Sequence, residues 1–139
     1  MLVINFNNRV KNYYRMKRIL ITLAMLLSLK TFAQNNSDEI IGRWLKTNKE
    51  DLIIEVYKVN DEYKGRISWS KDNKKPVGFI MLEKLRYDQE SKKWEGGKIR
   101  DPNSSRSYNA TASMNLDGTL ELIGAIFFLE SKRSFKRVK

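Results

Sequence analysis

Glu62-Tyr63-Lys64-Gly65-Arg66-Ile67-Ser68-Trp69-Ser70 alternates along its whole length. Tyr63, Gly65, Ile67 and Trp69 fall on one face, and Lys64, Arg66, Ser68 and Ser70 on the other. That is the period of a strand with one buried side. Upstream lie Asn60-Asp61, a turn signal, and Leu52 to Val59, rich in β-branched residues. Gly42 to Thr47 precedes them as a first strand. Downstream, Lys71 to Pro76 reads as a polar loop, Phe79 to Tyr87 as a fourth strand and Lys92 to Arg100 as a fifth. Gly96-Gly97 predicts a bulge or a close backbone approach in that fifth strand. Arg106 to Asn115 alternates again. Asp117-Gly118 is a hairpin signal before Thr119 to Ile126, and Lys132 to Val138 completes the set.

Eight short strands with no long amphipathic helix between them have the rhythm of an antiparallel meander. An open sheet of that kind exposes two edges, and closure removes both. The predicted fold is therefore all-β: a small antiparallel up-and-down β-barrel of about eight strands, with a flattened sandwich as the alternative.

Before the barrel the composition changes. Residues 1–33 hold six basic side chains and no acidic one. From Met16 the chain runs Met-Lys-Arg, then an apolar stretch from Ile19 to Leu29, then Lys-Thr-Phe-Ala-Gln. This is the pattern of a signal-peptide helix, with Met16 as the translation start and cleavage after Ala33. Eleven helical residues, Ile19 to Leu29, reach only about 16 Å, roughly half a hydrocarbon core. No Cys follows Ala33, so a bacterial lipid anchor is excluded. The expected organisation is residues 1–33 as extension and signal peptide and residues 34–139 as a single barrel domain. The expected location is exported, periplasmic or secreted, with no integral membrane segment after processing.

The chain has 139 residues, no His and no Cys. A Ser-His-Asp triad, a cysteine nucleophile, a zinc site of the usual kind and a disulfide are all excluded. Its formal charge is +11, from 27 basic and 16 acidic residues. Removing the six basic residues before Gln34 leaves 21 against 16, or +5, and Lys132 to Lys139 holds five basic residues and no acidic one. The surplus is thus an export address and a basic last strand, not a nucleic-acid footprint.

Three stretches occur in order: Ile41-Gly42-Arg43-Trp44, Gly65-Arg66-Ile67-Ser68-Trp69, and Trp94-Glu95-Gly96-Gly97-Lys98-Ile99-Arg100-Asp101-Pro102. Tyr108, Asp117-Gly118-Thr119-Leu120 and Arg137-Val138 follow. Together they resemble the bacterial exported family called domain of unknown function 2147. The run Trp94, Gly96, Gly97, Ile99, Asp101, Pro102 is its most specific part. The resemblance implies a lipocalin-like (calycin-type) barrel in the bacterial envelope, and it implies no activity. The chain departs from the family pattern in lacking a Cys pair, in a shortened Lys71 to Gly78 loop, and in Phe135 where Trp is more typical.

In the lipocalin arrangement that this resemblance implies, Arg137 from the last strand stacks over Trp44 of the first, next to Gly42. Period two agrees, because an inward Phe135 carries Arg133 and Arg137 inward as well. The candidate ligand-lining residues are Trp69, Trp94, Lys98 and Tyr108. With the register unbroken at the glycines, Trp94, Lys98 and Arg100 share a face suited to an anionic, partly apolar ligand. With a bulge there, Trp94 is core and the charges are solvated, which is the simpler reading. Asp101 to Ser105 lacks the carboxylate count of a calcium loop, and Asp101 is expected to accept local backbone N–H groups. No metal, cofactor or catalytic residue is predicted. The leading expectation is non-enzymatic binding of a small apolar or amphiphilic molecule in the barrel mouth. The alternative is a solid barrel that contacts protein, glycan or anionic lipid through its basic last strand and Phe127-Phe128. An enzyme built on carboxylates is the third reading, and it requires two carboxylates converging in one cleft.

Overall fold

A computed structural model describes residues 2–28, 36–104 and 106–139. It forms two compact units, residues 1–36 and residues 37–139. The described residues of the first include the helix α1, Leu2–Ser28. It extends well upstream of the expected apolar stretch because no Gly or Pro interrupts residues 2–28. Among the described residues no helix is long and apolar enough to cross a membrane. The expected cleavage position, Ala33, lies outside the described residues.

The second unit is a closed antiparallel barrel in which each strand pairs with its neighbours in sequence and the last returns to the first. The strands are β1 Gly42–Lys46, β2 Leu52–Val59, β3 Glu62–Ser70, β4 Ile80–Asp88, β5 Lys93–Arg100, β6 Ser107–Met114, β7 Leu120–Ile126 and β8 Leu129–Arg137. Closure is made by Trp44 opposite Arg137 and Lys46 opposite Phe135. Alternate side chains point into a core of Ile, Leu, Val and aromatic residues, with Trp44, Tyr63, Trp94 and Phe135 the bulkiest buried groups.

The last strand starts three residues earlier than its pattern suggests. Ile126 pairs with Leu129, so the β7–β8 connection is only Phe127-Phe128, with Phe127 in the left-handed backbone region (φ 51°). Two phenylalanines carry none of the Gly or Asn chemistry by which such a turn is usually recognised.

Irregularities in three strands set which side chains face inward. In β3, Ile53 pairs with Trp69 and Ile54 with Ile67, leaving Ser68 as an extra residue. The inward set therefore changes from Tyr63, Gly65 and Ile67 to Ser70, and Trp69 turns outward, 41% exposed. In β4, Lys84 takes a left-handed φ of 60° and breaks the alternation between Leu82 and Leu85. In β5, Trp94 pairs with Ala112 and Gly97 with Ala110, so one residue is added at Glu95-Gly96, with Gly96 at φ 72°.

Candidate functional site

The barrel has one closed and one open end. The closed end is built from the 3₁₀ turn Asn36–Ile40, which carries the buried Ser37 and Ile40. Two indoles hold it. The Trp44 Nε1–H donates to the Ile40 carbonyl at 2.9 Å and the Trp94 Nε1–H donates to the Ser37 carbonyl at 2.8 Å. Trp94 packs against Tyr63 and Tyr87, with ring centroids 6.4 and 5.0 Å away. The Tyr63 hydroxyl donates to Asp38 Oδ1 at 2.6 Å, and Lys58 Nζ reaches the same oxygen at 3.0 Å. These two hydrogen bonds, the tyrosine's first, hold the Asp38 carboxyl below its ordinary pKa.

Arg137 seals the same end. Its guanidinium lies 4.2 Å from the Trp44 ring centroid and donates to the carbonyls of Ile41 and Glu39 at 2.9 and 2.6 Å. Gly42 is required beneath it. A Cβ there would stand 2.6 Å from Arg137 Nη1, on a backbone with φ 140°. Gly42, Trp44 and Arg137 are thus brought together at the closed end.

Gly96 and Gly97 differ in purpose. Gly96 supplies the left-handed turn of the bulge, whereas a Cβ on Gly97 would lie 2.6 Å from Leu85 Cδ2, inside the core. Asp101 starts the β5–β6 turn. Its Oδ1 accepts the Asn103 amide at 2.9 Å, and its own amide donates to the Arg106 carbonyl at 3.1 Å. Glu83 stands opposite Lys98 and Glu95 opposite Arg86, each across the β4–β5 ladder.

The open end holds a cavity of about 350 Å³. Its depth is apolar, formed by Leu52, Met81, Ile99, Leu122 and Phe135, and its rim carries Lys75, Arg100, Asp101 and Arg133. Gly124 lines it where any larger side chain would project inward, since a Cβ there meets only Ile99 and Tyr108 at ordinary distances of 3.6 and 3.7 Å. Such a volume suits a small organic ligand.

Of the four sequence-predicted ligand residues, only Tyr108 lines this cavity. Trp69 is outside the barrel because of the Ser68 bulge. Trp94 is fully buried at the opposite, closed end. Lys98 is exposed on the outer face, hydrogen-bonded to Asn109, because the bulge at Glu95-Gly96 turns it outward. Lys75 and Leu52 were not among the candidates, since a loop residue and a core leucine carry no sequence signal for a mouth. Arg133 was not a candidate either, although it shares the inward parity of Phe135.

A sequence profile of the family described as "uncharacterized protein conserved in bacteria (DUF2147)" matches residues 42–137, from the first strand to the last. No curated protein matches the chain. Among solved structures, it is similar to protein HP1028 from Helicobacter pylori, described as belonging to the lipocalin family. The TM-score is 0.60 and the identity 15%, covering 72% of this chain and 83% of that one. At this identity the likeness shows a shared fold.

Proposed function

The chain belongs to the DUF2147 family of bacterial proteins, and from that premise we propose that it is an exported, non-enzymatic binding protein for a small apolar or amphiphilic molecule. The observation that carries this reading is the open-end cavity, apolar in its depth and polar at its rim. An apolar tail entering it leaves water for a preformed pocket, gaining roughly 0.8 kcal/mol per buried methylene. Rim groups then fix orientation. The lipocalin-like barrel supports the same reading, as a fold able to hold one small ligand. Solvent extraction and mass spectrometry of protein purified from its native host test it. A single co-purifying small molecule, released on denaturation, is the expected result, and protein that carries nothing and takes up no apolar probe contradicts it. Export is tested separately. N-terminal sequencing of the protein recovered from cells is expected to begin at Gln34, and an intact N-terminus would refute processing.

A second reading rests on Phe127-Phe128, which stand 91% and 97% exposed at the open end. A left-handed backbone at a bulky residue is uncommon, and here it presents two aromatic rings to solvent beside the basic Lys132 and Arg133. On this reading the hairpin tip contacts an anionic lipid surface. Co-sedimentation with phosphatidylglycerol vesicles should then fall with added salt and with Phe127→Ser/Phe128→Ser. Binding that ignores both changes would remove it.

A further inference from the structure

The cavity rim is unequal in charge. Lys75, Arg100 and Arg133 face one carboxylate, Asp101, and none of the three cations forms an ion pair among the described residues. The Asp101 carboxylate is turned to its own loop, where Oδ1 accepts the Asn103 amide. Arg100 lies over the Phe79 ring at 5.3 Å. Among the described residues, the side-chain donors of Lys75 and Arg133 meet no protein acceptor, the Lys75 backbone N–H alone donating to Ser70 Oγ at 3.1 Å. Arg133 reaches the mouth because it is two residues from the fully buried Phe135 on the same face of β8.

We infer that Lys75 and Arg133 form a head-group subsite for an anion, so that the ligand class is an amphiphilic carboxylate or similar monoanion with a short apolar tail. This rests on the reading of the cavity as the ligand site and adds the sign of the ligand's charge. The tail would lie on Leu52, Met81, Ile99, Leu122 and Phe135. The head would meet an ammonium and a planar guanidinium, a pair that suits a carboxylate through charge-assisted hydrogen bonds. Like charges crowd this part of the rim. Partial burial and the like charges of Lys46 and Arg133 hold the Lys75 ammonium below the usual lysine range, against the opposing pull of Asp51 and Asp101. Lys46 is itself paired with Asp51 at 3.3 Å. An incoming anion relieves that repulsion, whereas a cation worsens it.

Displacement of a neutral fluorescent apolar probe tests the inference with three ligands of equal chain length: decanoate, decanol and decyltrimethylammonium. The full chain and the variants Lys75→Gln and Arg133→Gln are compared, with circular dichroism confirming the barrel in each. Decanoate is expected to bind at least about tenfold more tightly than the other two. Each variant should lose about that factor for decanoate alone, and added salt should weaken decanoate selectively. Equal binding of all three ligands, or variants that leave decanoate unaffected, would overturn the anionic subsite while leaving the apolar cavity reading intact. If none of the three displaces the probe, or the probe itself does not bind, the cavity reading falls and the subsite with it.

Discussion

At the scale of single residues, Arg137 does the most identifiable structural work. It stacks on Trp44 and donates to two carbonyls that precede β1, Ile41 and Glu39. Arg137→Ala should lower stability by about 1–3 kcal/mol, read as a shifted urea midpoint. Arg137→Lys should recover only part of that, because an ammonium cannot stack and fork together. Gly97→Ala should destabilise by a similar amount, since the new methyl would press on Leu85. Combining it with Leu85→Ala should give less than the sum of the two losses, and strict additivity would show that the contact is not the cause. Gly96→Ala meets no neighbour and should cost only about 1 kcal/mol, through its left-handed backbone.

At the scale of elements, the 3₁₀ plug Asn36–Ile40 is held by two indole donors and by Asp38. Trp44→Phe and Trp94→Phe should each cost about 1–3 kcal/mol, for a lost hydrogen bond and the smaller ring's void. Asp38 gives the plug a pH dependence. Its folded-state carboxyl titrates below its unfolded value, so its contribution is present above the ordinary carboxylate range and is lost as pH falls through the lowered folded value. Acid denaturation should therefore show a smaller loss below about pH 4 in Asp38→Asn, which starts from lower stability at neutral pH. Identical acid limbs would contradict this. The elements were also where sequence reading was strongest. All eight strands were legible from alternation, β-branched content and turn signals such as Asp117-Gly118, the last without its first three residues, because those patterns are local. The inward or outward sense of a side chain beyond a bulge was not. Ser68 and Lys84 look like ordinary strand residues, and the ladder slips there for reasons that reside in the partner strand. Trp69 is exposed for that reason, whereas the bulge that leaves Trp94 in the core and turns Lys98 outward was signalled in the sequence by Gly96-Gly97. Arg137 over Trp44 followed from the resemblance and from parity, with no bulge between Phe135 and Arg137 to disturb it.

At the scale of the whole molecule, the barrel divides its tasks between its ends. Trp44, Tyr63 and Trp94 fill and seal one end, while smaller residues, Gly124 and Ser131 among them, leave room at the other. The cost of that room is visible in charge: Lys75 sits among like charges, and its folded-state pKa is depressed. Its positive form is thus disfavoured by folding at neutral pH, and stability should rise as pH climbs toward the lysine range. Lys75→Met should accordingly raise the melting temperature slightly while weakening anion binding, and a lowered melting temperature would contradict the electrostatic assignment. The central claim, that the open-end cavity is where a ligand sits, is tested most directly by filling it. Gly124→Leu places a side chain in the cavity on a backbone that tolerates one, with no contact closer than 3.6 Å at its Cβ. Calorimetric titration with decanoate should give one site per chain in the parent protein and at least about tenfold weaker binding in Gly124→Leu. Equal affinity in both proteins, or no binding in either, would contradict the account.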